Sequence, residues 1–137
     1  MRWLLVSLFA SLATLASSTL KDCGAGTSEF TLLDQGFSPD PPAVGDNTTL
    51  WFYYQVPDGV SITDGTAEYK ITLNGIPFSP STDPLCTQVT CPLVPGIYNL
   101  SSSSIWEGGV SGKIVSRISW YDTDKTLLLC SELTVRV

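Results

Sequence analysis

Four cysteines, Cys23, Cys86, Cys91 and Cys130, are the residues best placed to do chemistry, two of them within the stretch LCTQVTCPLVPG at 85–96. A pair this close can ligate a metal, cycle between thiol and disulfide, or act as a covalent staple. A zinc site needs four soft or imidazole ligands gathered together, and nothing in the spacing joins the two halves of this set. The 137 residues contain no histidine, which removes the commonest zinc ligand and the Ser-His-Asp and Cys-His nucleophile arrangements. Ser101 to Ser104 form a hydroxyl run with no accompanying base, so they read as a polar strand end and not as a nucleophile set. Asp122-Thr123-Asp124 offers too few oxygen ligands for calcium and reads as a solvated hairpin turn. No metal or cofactor is implied.

The start of the chain sets the redox compartment. It reads MRWLLVSLFASLATLASSTLKDCG: one basic residue, an apolar stretch over 3–16, then the small-residue exit Ala16-Ser17-Ser18. That pattern is a secretory leader, expected to occupy 1–18 and to leave a single domain over 19–137. The apolar stretch is shorter than the roughly 18–20 residues a spanning helix needs. An even number of cysteines in a secreted chain reads as a disulfide framework. Cys86 and Cys91 are too close to avoid each other easily, which leaves Cys23 to pair with Cys130 and tie the ends of the domain.

Charge narrows the partners. Once Arg2 leaves with the leader, six basic residues face thirteen acidic ones, a net of about −7. Such a surface argues against nucleic acid and against electrostatic docking on anionic membranes. Any lipid contact must then be made through apolar surface.

The elements that position these residues alternate with a period of two. Ala67, Tyr69, Ile71 and Leu73 face one way and Thr66, Glu68, Lys70 and Thr72 the other. Leu50, Phe52, Tyr54 and Val56 oppose Trp51, Tyr53 and Gln55, while Ile114, Ile118 and Trp120 alternate with Lys113, Arg117 and Ser119. Leu127, Leu129, Leu133, Val135 and Val137 are expected on one face, opposite Cys130, Glu132, Thr134 and Arg136. Half-buried strands produce this pattern because successive side chains leave opposite faces of a sheet. Turn residues such as Pro57-Asp58-Gly59, Asn74-Gly75 and Gly108-Gly109 separate the runs. Strands are expected near 28–35, 47–56, 65–74, 96–101, 110–121 and 126–137, with a short one at 60–63, and no segment carries a helical stripe. Six or seven antiparallel strands of this kind make an all-β sandwich. Two glycosylation sequons begin at Asn47 and Asn99, the latter on the outward face of its strand.

In order and detail these features resemble the ML family, the lipid-recognition domains related to myeloid differentiation protein. Asp22-Cys23-Gly24 looks like the family's DCG start, and SPDPPAVGDNTTLWF (38–52) is similar to the opening of the phosphatidylglycerol/phosphatidylinositol transfer branch. NGIPFSPSTDPLC (74–86), CPLVPGIYNL (91–100) and RISWYDTDKTLLLCSELTVRV (117–137) resemble the segments around the later cysteines. The resemblance covers the whole mature chain. It implies an immunoglobulin-like sandwich with an apolar lipid cavity between its sheets, and bridges Cys23–Cys130 and Cys86–Cys91. Two departures bear on sterol specificity. Pro39, Pro41 and Pro42 stand where the Niemann-Pick type C sterol carriers place a third bridge, and Ile105, Trp106 and Val110 stand near the position of their pocket-mouth Val and Tyr.

Periodicity alone favours a filled core between the sheets, because ordinary sandwiches interdigitate across about 10 Å. The resemblance instead implies that Phe52, Tyr54, Tyr69, Ile71, Ile118 and Trp120 line a cavity. Its mouth is expected at Ile76-Pro77-Phe78 and at Ile105-Trp106, with Val110 close by and the Cys86–Cys91 staple holding it open. The implied function is binding and transfer of a sterol, phospholipid or fatty-acyl ligand without catalysis, in the extracellular space or the lysosomal or vacuolar lumen. Implied partners are the lipid, a membrane surface touched transiently and a membrane lipid-transfer receptor, with the domain itself a monomer. The competing reading is an immunoglobulin-like recognition or adhesion module with a solid core, which predicts no apolar cavity of lipid size.

Overall fold

The computed structural model describes residues 17–107 and 111–137. Most of the expected leader, and the expected mouth residue Val110, lie outside the described residues. The described chain runs β1 (Ser17–Asp22), β2 (Thr31–Ser38), β3 (Asn47–Val56), β4 (Gly65–Leu73), β5 (Ile76–Pro77), β6 (Ser81–Pro84), α1 (Leu85–Gln88), β7 (Gly96–Ile105), β8 (Lys113–Asp122) and β9 (Leu127–Arg136). All pairings are antiparallel. One sheet has the order β1-β9-β8-β4-β5, with β6 also on β4, and the other the order β2-β3-β7.

The two sheets face each other as a sandwich of the immunoglobulin-like kind, as the alternation and the resemblance imply. Three described strands carry no period-two signal of their own. β5 and β6 are short segments that cover the two ends of the β4 edge, pairing with Thr72–Leu73 and Thr66–Tyr69 respectively. β1 pairs with β9 from Ser17↔Arg136 to Asp22↔Ser131, so it begins within the expected leader; cleavage after Ser18 would leave Thr19–Asp22 in the sheet. The short strand expected at 60–63 is reduced to one bridge, Ile62↔Leu93. The single turn α1 escapes a periodicity argument because four residues are too few to carry a stripe.

Register decides which side chains meet. Ala67↔Trp120, Tyr69↔Ile118, Ile71↔Ser116 and Leu73↔Ile114 put one row of β4 and β8 on the inner face, as expected. On β9 the strict alternation breaks. Trp120 pairs with Leu129 and Tyr121 with Leu127, so Leu128 is an inserted residue and Leu127 falls on the face opposite to the expected one. A second irregularity at Leu33 keeps Leu32, Gln35 and Phe37 opposite the inner row Tyr54, Phe52 and Leu50. On the outer face the indole of Trp51 lies over Gly36 of the adjacent strand, where a Cβ would stand 2.4 Å from the ring. Glycine at 36 is what lets that aromatic lie flat on the sheet.

The inner rows fill one half of the sandwich. Trp120 stands edge-on to Tyr54 at 5.2 Å and to Phe52 at 5.8 Å, and Tyr54 stacks between Phe30 at 5.9 Å and Tyr98 at 5.5 Å. Leu85, Leu93, Leu128 and Leu129 complete a fully buried cluster around these rings. Offset and edge-on pairs at such separations add to plain area burial. Cys23–Cys130, with Cα atoms 5.0 Å apart, closes a separation of 107 residues across this half, and Cys86–Cys91, with Cα atoms 5.4 Å apart, closes one of 5. Replacing Trp120 with Ala is expected to cost about 3–5 kcal/mol of stability, read from denaturant unfolding; a loss below about 1 kcal/mol would show that the ring is not the keystone of this half.

Candidate functional site

Beyond Phe52 and Trp120 the inner rows change character. β3 continues with Leu50 and Thr48, opposed in register by Ser102 and Ser104 of β7. β8 continues with Ser116, flanked by Ile71 on β4 and Leu133 on β9. Three serines stand where bulky side chains would be needed to close the gap. The sheets therefore enclose a space of about 370 Å³, walled by Tyr69, Ile71, Ile114, Ile118, Leu133 and Val135 on the larger sheet and by Phe37, Thr48, Leu50, Ser102 and Ser104 on the smaller one. Trp106 closes its outer end. Backbone bonds from Trp106 N–H to the Asp46 carbonyl (2.8 Å) and from Gly45 N–H to the Trp106 carbonyl (2.9 Å) fix it there. A recess of about 50 Å³ shares Leu50, Tyr69, Ser102 and Ile118 with this cavity and ends on Phe52, Leu100, Gln88 and Trp120.

The mouth follows from the edges of the sheets. β1 touches β2 on one side of the sandwich, so β4 and β7 lie on the other. The exposed lining residues are Ile71 on β4 and Ser102 and Ser104 on β7, one apolar lip and one hydroxylic. Ile71 lies where neither β5 nor β6 covers the β4 edge, and there the Phe78 N–H donates to the Ile71 carbonyl at 2.9 Å. Phe78, 54% exposed, and Ile76, 67% exposed, extend the apolar lip outward from the cavity.

The expected lipid-contact residues thus separate into groups. Tyr69, Ile71, Ile118 and Trp106 line the cavity, and Phe52 and Trp120 line its recess. Tyr54 lies wholly in the aromatic core. Ile76 and Phe78 stand outside the lip. Ile105 pairs with Asn47 on the outer face of the smaller sheet, because its neighbour Ser104 takes the inner position. The expected place of the staple at the mouth is corrected too. Leu85 packs on Gly65, and Cys86 Sγ lies 3.4 Å from the Thr63 carbonyl oxygen, at the start of β4. Ile71 is six extended residues away, roughly 20 Å, so the staple clamps the filled half. Asn47 and Asn99 are both exposed, Asn99 facing outward beside Tyr53.

The inward serines were missed in the sequence, although a signal existed. Extending the inner parity of Tyr98 and Leu100 by two and four residues reaches Ser102 and Ser104. Among the described residues no charged side chain lines the cavity. Lys70 and Arg117 alternate with lining residues and point outward, where Lys70 meets Glu68 at 3.3 Å and Arg117 meets Glu132 at 2.6 Å. A separate depression of about 450 Å³ between Asp64–Glu68 and Tyr121–Lys125 shares no lining residue with the cavity.

A sandwich filled at one end and hollow at the other, with an apolar interior open along one side, defines the class: a β-sandwich with an internal pocket. A sequence profile of the family described as ML domain matches residues 17–137, and the chain belongs to that family. A Niemann-Pick type C2 protein from Japanese carpenter ant has a similar fold, with a TM-score of 0.63 and 14% identity over 85% of this chain and 96% of that one. Chicken MD-1, in a structure complexed with lipid IVa, is similar with a TM-score of 0.64 and 12% identity over 88% of this chain and 89% of that one. Comparison with curated proteins by sequence returns no match.

Burial in the aromatic core pushes the Tyr54 phenol from 10.0 up to about 12, with the neighbouring Tyr98 adding to the effect. A phenol that resists ionisation only when folded contributes stability that is fully present below pH 10 and is lost as the pH rises towards 12. Denaturant titrations across that window are expected to show the decline, and Tyr54→Phe to flatten part of it. An equal decline in the variant would remove Tyr54 as its source.

Proposed function

We propose that this chain is a lipid-binding and transfer protein that encloses the apolar part of one lipid between its two sheets. The cavity of about 370 Å³, walled largely by apolar side chains and open between the β4 and β7 edges, carries the reading. It is also what the solid-core recognition module does not predict. Burying ~400 Å² of lipid surface at ~25 cal/mol per Å² contributes roughly 10 kcal/mol gross, before the costs of ordering. No charge is required for that, which fits an acidic chain. Membership of the ML family and the lipid named with chicken MD-1 support the same reading.

Ile76 and Phe78 beside the lip are placed to enter a bilayer surface while the lipid crosses, giving transient membrane contact. The hydroxyl and apolar groups of the walls suit binding and not catalysis. Removal of 1–18 as a leader and delivery to the extracellular space or to a lysosomal or vacuolar lumen accord with two disulfides, which persist in oxidising compartments. A monomer that hands its lipid to a membrane receptor completes the proposal.

Delipidated protein is expected to take up a fluorescent fatty-acyl, sterol or phospholipid analogue; uptake of none of them would defeat the reading. Ser116→Phe, which fills the centre of the cavity, is expected to lower uptake by at least about tenfold while leaving the melting temperature unchanged or higher. Phe78→Asp should slow extraction of lipid from vesicles yet spare binding of lipid supplied in solution. Equal losses in both assays would place Phe78 in the pocket itself.

A further inference from the structure

The wall that Thr48, Ser102 and Ser104 contribute has a defined hydrogen-bonding polarity. The Thr48 hydroxyl donates to the Ser104 carbonyl at 2.9 Å, which uses its only proton. The contact of 3.4 Å between the Thr48 and Ser104 hydroxyls must then run with Ser104 as donor. The free lone pairs of Ser104 Oγ are left to accept. Ser102, one inward step along β7, and Ser116 on the opposite sheet have no hydrogen-bond partner among the described protein groups, so each can donate or accept. The lip thus offers both senses of hydrogen bond to a neutral head group.

An anionic head group meets a different situation. Among the described residues no cation lines the cavity, and Lys70, Lys113, Arg117 and Arg136 each alternate with an inward residue and point to the outer face. Placing a carboxylate or phosphate against this lip removes water without supplying a counter-charge, in a chain already strongly acidic. Volume sets the tail. If a methylene occupies about the share of a water molecule, ~30 Å³, the cavity of about 370 Å³ takes roughly a dozen chain carbons. That is room for one such chain.

We propose that the cavity selects a single-chain lipid with an uncharged, hydroxyl-bearing head, a long-chain alcohol or a monoacylglycerol, held at the lip by Ser102 and Ser104. The tail lies against Tyr69, Ile118 and Leu133. This specificity rests on the lipid-binding reading above and deepens it.

The test is displacement of Nile red from the delipidated full chain by dodecan-1-ol, dodecane and, at pH 8, dodecanoate. Dodecan-1-ol is expected to bind about tenfold more tightly than dodecane, the worth of one or two net hydrogen bonds, and more tightly than dodecanoate, which meets no counter-charge. The double change Ser102→Ala with Ser104→Ala should abolish the margin over dodecane and leave dodecane binding intact, while Ser102→Thr with Ser104→Thr should keep it. Dodecanoate binding as tightly as the alcohol would overturn the neutral-head assignment. A margin over dodecane that survives the alanine change would overturn the role of the serines. Binding of all three ligands with equal strength refutes the selectivity alone, whereas binding of none refutes the lipid reading with it.

Discussion

Everything else in the structure depends on the packing of Trp120 across the space between the sheets. Its ring comes from β8 of the larger sheet and meets Phe52 and Tyr54, which come from β3 of the smaller one. Rings this large fix the separation of the two sheets at that level. Strands are stiff over such distances, so the separation carries through to the far end, where the inner rows offer serine, threonine and branched aliphatic side chains. Those cannot fill a gap set by aromatics. The cavity is therefore the consequence of a size mismatch along the strands and not of a separate structural device.

Three other links, one hydrogen bond and two disulfides, hold that gradient in place. At the level where filled core gives way to cavity, the Ser131 hydroxyl donates to Gln35 Oε1 at 2.6 Å, joining β9 to β2 between the sheets. A polar tie there resists both collapse and further opening, because breaking it would leave a buried hydroxyl unpaired. The disulfides act on the filled half. Cys23–Cys130 secures the sheet that carries Trp120, and Cys86–Cys91 folds the connection between β6 and β7 against the start of β4. The mouth lies between the other ends of β4 and β7 and is free of covalent restraint, which is where a ligand must pass.

The division of labour on β7 shows how one strand serves both halves. Tyr98 stacks on Tyr54 in the core and Leu100 borders the recess, while Ser102 and Ser104 form the hydroxylic lip. Their outward neighbours, Asn99, Ser101 and Ser103, keep the other face polar. A run that looks uniform in sequence, Ser101 to Ser104, thus splits into two inward groups facing a ligand space and two outward ones facing water.

Much of this was legible in the sequence. Period-two alternation located β3, β4, β8 and most of β9, cysteine count and spacing indicated the pairing, and the order of motifs pointed to the family. These are local or combinatorial properties, carried by residues close together or by a small set of identical groups. What only the tertiary structure decided is long-range register. The pairing of Thr48 with Ser104 joins residues 56 apart, and the insertion at Leu128 reverses the face of Leu127 without any mark in composition. Ile105 falls on the outer face because it lies an odd number of residues from the inward Tyr98 on the same unbroken register. Whether facing rows fill the space between two sheets depends on the sum of side-chain volumes across a pairing that no single strand specifies, so the cavity, its serine lip and its distance from the Cys86–Cys91 staple became visible only once both sheets were in place.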